Sequence, residues 1–120
     1  MLIDQAPGYS NKTNPYNALL CDSLVNAGHE VREYTLKSTM RGAAAQILHV
    51  HWPEEPLSRK PIHQCQLRFV KLFLTVAVAK AKGAKIFWTA HNLFTHEHLY
   101  PSVEARFYKK WIKTIDGVIC

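Results

Sequence analysis

Two kinds of apolar pattern alternate along this chain. Short, nearly continuous apolar runs are typical of buried strands, and apolar residues that recur every three or four positions are typical of amphipathic helices. The runs predict strands at residues 1–4, 47–51, 84–89 and 118–120, and an alternation of apolar and charged residues predicts a further strand at 29–36. The helical pattern predicts helices after Asn14-Pro15, over 62–82, and from Pro101 or Ser102. This alternation favours an α/β fold, a Rossmann-like, doubly wound, mainly parallel sheet with right-handed crossovers.

The same periodicity predicts which side of each helix faces the core. In the first helix the apolar positions are Leu19, Leu20, Leu24 and Val25. In the 62–82 helix they are Leu67, Val70, Leu74, Ala77 and Val78, and in the last helix they are Val103, Phe107, Trp111 and Ile115. Trp88 and Phe87 of the fourth strand are predicted to be core residues as well.

The length of 120 residues and the hydrophobic fraction of 48% fit one domain, residues 1–120, with a core that needs no covalent staples. Cys21, Cys65 and Cys120 show no CxxC spacing, which favours reduced thiols. The start of the chain has no pattern of a secretory leader, and the longest apolar stretch is too short to span a bilayer. We therefore expect a cytoplasmic protein.

Charge is distributed unevenly around the formal net value of +6. Residues 1–58 carry four Lys/Arg and six Asp/Glu, whereas residues 59–120 carry eleven and three. A basic half of this kind is either a solvated surface or a site for an anionic membrane or a phosphorylated ligand. Nucleic acid is not an expected partner, because no RNP, zinc-finger or helix-turn-helix pattern is present.

Polar side chains that could bind a ligand or take part in catalysis follow two of the predicted strands. The strand Ile86–Thr89 leads into His91-Asn92, and the strand at 47–51 leads into His51-Trp52-Pro53-Glu54. Ligands of open parallel sheets bind outside the carboxyl ends of the strands. The sequence therefore predicts one shared site, with His91 and Asn92 on one side and His51, Trp52 and Glu54 on the other.

Several of these residues have a second interpretation. His49 and His51 share a strand face, so with His91 they are a possible three-histidine metal site, although no ligand spacing is specific and no metal or other cofactor is expected. His49 is also typical of a hydrogen-bonded core histidine. Adjacent Glu54 and Glu55 fit a general base or a solvated turn, and Trp52 fits either a stacking platform or packing.

The loop after the fourth strand adds His96, Glu97 and His98 to His91 and Asn92. Imidazoles titrate near neutral pH and donate well to phosphate or hydroxyl oxygens, so this density favours a ligand site, with His98 the least involved. Gly8, in the loop after the first strand, would let a ligand approach the backbone. The chain has no GxGxxG, Walker A or GxSxG motif.

Taken together, these segments carry a resemblance to a known family. His49-Val50-His51-Trp52-Pro53-Glu54, Thr89-Ala90-His91-Asn92-Leu93 with His96-Glu97, and Asp116-Gly117-Val118-Ile119 resemble the N-terminal half of GT-B glycosyltransferases. The likeness is nearest to mannosyltransferase-like enzymes of bacterial exopolysaccharide assembly, and it covers nearly the whole chain.

The resemblance implies an acceptor-side domain whose donor-binding C-terminal domain is absent from these 120 residues. It implies a nucleotide-sugar donor and a glycolipid or oligosaccharide acceptor. Peripheral contact with an anionic membrane surface is expected from the basic residues of the last two predicted helices, Arg68, Lys71, Arg106, Lys109, Lys110 and Lys113. His91 is implied as a catalytic residue, with Glu97 a candidate base beside Glu54 and Asp4. Gly8, His51, Trp52, Glu54, Asn92 and His96 are implied as substrate-binding residues. The alternative is a non-catalytic subunit that pairs with a separate donor-binding protein.

Overall fold

A computed structural model of the chain describes residues 1–92, 95 and 97–120. Within these residues five strands form one all-parallel sheet in the order β2-β1-β3-β4-β5. The strands are β1 Leu2–Ala6, β2 Glu30–Glu33, β3 Ile47–His51, β4 Lys85–Thr89 and β5 Gly117–Ile119. The helices are α1 Pro15–Asn26, α2 Leu36–Arg41, α3 Ile62–Ala81 and α4 Pro101–Thr114, with a 3₁₀ turn at Glu55–Ser58. The predicted Rossmann-like, doubly wound parallel fold is confirmed.

The core lies between the sheet and the helices α3 and α4. Leu48, Val50, Ile86 and Trp88 alternate along β3 and β4 and point to the same side. They pack against buried residues of the two helices, among them Cys65, Phe69, Val76, Phe107 and Trp111. The opposite side of the sheet carries Ile3, Ile47, His49 and Phe87, which line a pocket of about 240 Å³ together with Leu20 and Leu24 of α1.

One helix was not predicted, and the strand before it is shorter than predicted. The pattern over 29–36 indicates a strand, but β2 ends at Glu33 and α2 begins at Leu36. Thr35 caps α2, since its hydroxyl accepts from the Ser38 amide and the Ser38 hydroxyl accepts from the Thr35 amide. This reciprocal cap uses serine where glutamate or glutamine is usual, which hides the start of α2 in the sequence.

The predicted core side of α3 is wrong. Leu67, Val70 and Leu74 are 67%, 66% and 53% exposed. The buried side of α3 consists instead of Cys65, Phe69, Thr75, Val76 and Ala79. Because α3 has apolar residues on two opposite sides, a helical period alone does not decide which side packs on the sheet. In α1, similarly, Leu19 and Val25 are exposed, whereas Phe107 and Trp111 of α4 are buried as predicted.

The N-cap of α1 is the Asn14 side chain, and we predict its contribution to stability. The Asn14 side-chain oxygen accepts from the Tyr16 amide at 3.0 Å. Asn14→Ala should lower the free energy of unfolding by about 1 kcal/mol, because an amide of the first helical turn loses its acceptor. Urea denaturation measures this change. Asn26→Ala, at the exposed last position of the same helix, is the matched control and should not destabilise; equal losses in both variants would contradict the cap's role.

Candidate functional site

Three neighbouring strands end together and bring the predicted site residues to one edge of the sheet. Ala6 of β1 is paired with Val50 of β3, and His51 of β3 is paired with Thr89 of β4. His91 follows β4 by two residues, so it lies beside the end of β3. The predicted juxtaposition of His51 with His91 is therefore present in the structure.

Gln5, His51 and His91 form a chain of hydrogen bonds at this edge. His51 Nε2 lies 3.0 Å from Gln5 Oε1, and His51 Nδ1 lies 3.2 Å from His91 Nε2. With the amide oxygen of Gln5 as acceptor, His51 carries its proton on Nε2, and its Nδ1 accepts the Nε2 proton of His91. This tautomer leaves the Nδ1 lone pair of His91 available to a ligand.

Aromatic rings fix the orientation of the His91 imidazole. Trp52 stacks on it with ring centroids 4.3 Å apart and an interplanar angle of 16°. Tyr16 of α1 meets it edge-on, with centroids 5.0 Å apart. Trp52 adopts a φ of 48°, a left-handed conformation that is costly for a bulky side chain. That strain is tolerated at the position where the indole covers His91, which indicates that the surrounding structure holds the ring there.

All three imidazoles are held in the neutral state. Burial lowers the pKa of His49 to about 4, and the neighbouring His91 adds to the effect. Burial lowers the pKa of His51 to about 3, with smaller contributions from His49 and His91. Burial also lowers the pKa of His91. His49 Nε2 is satisfied by the Thr89 hydroxyl at 2.7 Å, which fits its interpretation as a hydrogen-bonded core histidine.

A pocket of about 460 Å³ opens beside this chain of side chains. Its size is within the range typical of small-molecule sites. The lining residues are mostly apolar or aromatic, with two cations from α3: Ala6, Tyr34, Leu48, Val50, His51, Trp52, Pro53, Glu55, Pro56, Arg68, Lys71, Leu72 and Thr75. Glu55 pairs with Arg59 and lies 3.6 Å from Arg68. Within the described residues Lys71 has no ion-pair partner.

Glu54 and Glu55 occupy different environments although they are adjacent. Glu55 is exposed and forms the ion pairs just described, as the solvated-turn interpretation expects. Glu54 is only 6% exposed, and burial raises the pKa of its carboxyl. Its Oε2 has no hydrogen-bond partner among the described residues. A buried carboxyl of this kind holds its proton to higher pH than an exposed one.

The loop after β1 binds the Glu33 carboxylate of β2. The Gly8 amide donates to both carboxylate oxygens of Glu33 at 3.1 Å, and the Ser10 amide and hydroxyl donate to the same carboxylate. A Cβ on Gly8 would lie 2.9 Å from Glu33 Oε2. Glycine is therefore required here by the close approach of Glu33, and a substrate-binding role for Gly8 stays a prediction.

The remaining predicted residues are not brought into this chain of contacts. Glu97 is exposed, and Asn92 is half-buried at the end of β4. His96 lies outside the described residues. Asp4 is buried in a two-pronged ion pair with Arg32, at 2.6 and 2.9 Å, which occupies both of its oxygens. Roles for Glu97, Asn92 and His96 stay predictions.

The sequence interpretation missed Gln5 and Tyr16, and it gave Lys71 a role only at a membrane surface and not at the pocket. A glutamine inside the otherwise buried strand Leu2–Ala6 is the signal for Gln5, because a buried amide needs a partner. Tyr16 directly follows the Asn14-Pro15 helix start, which places it at the same edge as the strand ends. No local sequence signal places Lys71 at the pocket, because packing decides which side of α3 faces the pocket.

Two further chemistries are not assembled at this edge. In the described part of the chain no group of three or more His, Cys, Asp and Glu side chains is arranged for a metal ion, so the three-histidine alternative finds no support. Over the same residues, no serine or cysteine side chain hydrogen-bonds His49, His51 or His91. Cys21 and Cys65 are buried, and burial raises the pKa of both thiols, which fits inert packing.

Comparison with known proteins yields a structural match and no sequence match. No protein-family model matches the chain, and no curated protein matches it. The fold is similar to a crystal structure of TesA, with a TM-score of 0.53, 15% sequence identity, and coverage of 94% of this chain and 71% of that chain. A likeness at this identity concerns the fold alone.

The glycosyltransferase assignment is therefore wrong, because the structural match is to TesA and no glycosyltransferase family matches. The nucleotide-sugar, exopolysaccharide and mannosyltransferase-like implications fall with it, as does the alternative of a subunit paired with a donor-binding protein. The physical reason is that parallel α/β sheets in general gather polar side chains at the carboxyl ends of their strands. The segments around His51 and His91 indicate an edge of this kind, but they do not determine which reaction or ligand it serves.

Proposed function

We propose that this domain binds an amphipathic, anionic small molecule at the carboxyl edge of its sheet, and that His91 acts there as a neutral general base. The observation that carries the proposal is the position of the 460 Å³ pocket, which shares His51 and Trp52 with the Gln5–His51–His91 chain. A ligand in the pocket would contact His51 and Trp52, and these two side chains in turn hold the His91 imidazole through a hydrogen bond and a stacked ring.

The lining of the pocket supports the chemistry of the ligand. Leu48, Val50 and Leu72 offer an aliphatic wall, which favours an apolar body. Lys71 stands at the pocket without an ion-pair partner among the described residues, which favours an anionic group at that end. An uncharged ligand of the same shape would leave this cation unused.

The neutral state of His91 supports its role as a base. A general base needs a free lone pair within reach of the proton it removes. The Nε2–H of His91 is directed to His51, so Nδ1 is the atom that takes the proton. On protonation, the bond from Nε2 to His51 Nδ1 strengthens, because its donor is then charged.

Ligand titration tests the pocket, and Trp52 provides the signal because its indole is part of the lining. Decanoate should change the tryptophan fluorescence at lower concentration than decanol does. Lys71→Ala should weaken decanoate binding about fivefold, the value expected for one partly exposed charge contact, and leave decanol binding unchanged.

Lys113→Ala is the matched control, since it removes the same charge from an exposed position on α4. It should leave both affinities unchanged. Equal binding of decanoate and decanol by the parent protein, or equal losses in the Lys71 and Lys113 variants, would contradict the proposed ligand class.

The proposal includes a position at the inner, cytoplasmic face of an anionic membrane. Amphipathic anions partition to bilayers, and residues 59–120 carry the chain's excess of cations. In the part of the chain that the structure describes, no helix has the length and apolarity to cross a membrane. Membrane contact would therefore be peripheral.

A further inference from the structure

The outward side of α3 carries an apolar ridge that nothing in the described structure covers. The ridge consists of Leu67, Val70 and Leu74, which are each more than half exposed. Their spacing of three and four residues aligns them along one side of the helix, opposite the buried Cys65 and Phe69. Exposed aliphatic residues are ordinary when scattered, but a continuous ridge of them marks an interaction surface.

The outward side of α4 carries a cationic ridge with the same spacing. Arg106, Lys109 and Lys113 are exposed and lie opposite the buried Phe107 and Trp111. Ile112 of the same helix is an exposed apolar residue beside these cations, with 60% of its surface accessible. The two outward ridges therefore have matching lengths, one aliphatic and one positively charged.

The two ridges lie side by side because α3 and α4 pack against each other. Phe69 stacks on Phe107 with centroids 4.5 Å apart, and Phe73 meets Trp111 at 6.1 Å. The Lys110 ammonium lies 4.4 Å from the centre of the Phe73 ring. From Phe69–Phe107 to Phe73–Trp111 the contacts advance by about one turn in the same direction on both helices, so the two ridges, each about two turns long, run alongside one another.

We propose that the α3 and α4 ridges together form a face that docks on an anionic lipid bilayer. The aliphatic side chains enter the boundary of the hydrocarbon layer, and the cations contact lipid phosphates. This inference rests on the proposed peripheral location and assigns it to named residues. Long cationic side chains suit the second role, since their stems remain in apolar surroundings while their charged ends stay in water.

Charge decides between a bilayer and the other occupants of such a face. Together α3 and α4 contain seven Lys/Arg and one acidic residue, Glu104, which is buried. A second copy of this chain would bring the same cations opposite these cations with no carboxylate to pair with them. Nucleic acid would use the cations but would leave the aliphatic ridge in water. An anionic bilayer satisfies both ridges.

The proposed face adjoins the mouth of the pocket. Arg68 and Lys71 of α3 line the pocket, and they are neighbours of Leu67 and Val70 in the ridge. A docked domain would thus present its pocket to amphipathic molecules that reside in the bilayer. Membrane docking and ligand binding are separable, because Leu67 and Leu74 do not line the pocket.

Vesicle sedimentation of the full chain tests the proposal. The parent should bind vesicles of 70% phosphatidylcholine and 30% phosphatidylglycerol at least tenfold more tightly than pure phosphatidylcholine, because each basic residue near the surface contributes about a fivefold gain. Leu67→Gln/Leu74→Gln should weaken binding to the anionic vesicles at least fivefold. Lys109→Ala/Lys113→Ala should weaken it by about tenfold or more.

The opposite side of the molecule supplies a matched control. Leu19→Gln/Val25→Gln removes two exposed apolar residues from α1 and should leave vesicle binding unchanged. Equal binding to both vesicle types, equal losses in the α1 and α3 variants, or full binding by Leu67→Gln/Leu74→Gln would each overturn the proposal, the last by indicating a purely ionic surface for nucleic acid or acidic proteins. Decanoate titration of the same variants separates the two proposals, since failure of the pocket leaves the vesicle results unaffected.

Discussion

Lowering the pH from 7 to 5 is expected to reduce the free energy of unfolding by about 4 kcal/mol through His49 and His51 alone. Both imidazoles are almost fully buried, at 6% and 3% exposure. Burial lowers the pKa of His49 to about 4 and that of His51 to about 3. In the unfolded chain both regain a pKa near 6.5.

The sign follows from proton uptake. Between pH 6.5 and the folded pKa values, His49 and His51 are protonated in the unfolded chain and neutral in the folded protein. Lowering the pH in this range therefore favours unfolding. Stability from these groups is complete above pH 6.5 and is lost as the pH falls toward 4 and 3. At pH 5 each imidazole has lost about 2 kcal/mol, since one pKa unit corresponds to about 1.4 kcal/mol. For a domain of this size that is a large share of the total.

Urea denaturation at pH 7 and pH 5 measures the loss, and the interval avoids the lower range in which Glu104 and Asp116, whose carboxyl pKa values are lowered, begin to titrate. His49→Gln/His51→Gln should remove most of this loss between the two pH values, whatever its effect on stability at pH 7. The dependence that remains belongs to His91, whose pKa burial lowers, and to Glu54, whose pKa burial raises. His63→Gln, on an exposed position of α3, is the control and should keep the parent's slope. A parent protein equally stable at both pH values would contradict the buried, neutral state of the pair.

The architecture is the part of this molecule that sequence patterns predict well. The boundaries of α3 and α4 follow from Pro61, Gly83 and Pro101, and the strands β3 and β4 follow from continuous apolar runs. Strand ends in a parallel sheet meet at one edge, so the meeting of His51 with His91 also follows from the order of elements. At all of these positions the structure that the local sequence favours is the one that the sheet topology requires.

The missed features depend on packing between elements that are distant in sequence. A helical period does not distinguish the two apolar sides of α3, and only the fit of Phe69 against Phe107 decides which side is buried. Gln5 gains its importance from His51, which lies 46 residues away. The functional assignment failed for a related reason: residue types at strand ends indicate a site, and the chemistry of the site depends on its shape and its neighbours.

Gln5→Glu is expected to raise the pKa of the His51–His91 pair by about 1–3 units, the range observed for a charge partner in hydrogen-bond contact. Gln5 is fully buried, and its side-chain oxygen lies 3.0 Å from His51 Nε2. The substitution keeps the shape of the side chain and replaces a neutral acceptor with a carboxylate. An imidazolium then gains a partner that the parent protein does not offer, so the neutral base of the parent becomes charged at higher pH.

Titration of the imidazole resonances by NMR measures this shift. Gln46→Glu makes the same chemical change at an exposed position before β3 and should leave the pair's pKa values as in the parent. Gln5→Met provides a test without a buried charge, because it removes the acceptor while keeping the volume. It should release the proton of His51 from Nε2, which ¹⁵N shifts detect. Unchanged pKa values in Gln5→Glu together with an unchanged tautomer in Gln5→Met would show that Gln5 does not orient His51, and the lone pair assigned to His91 Nδ1 would lose its structural basis.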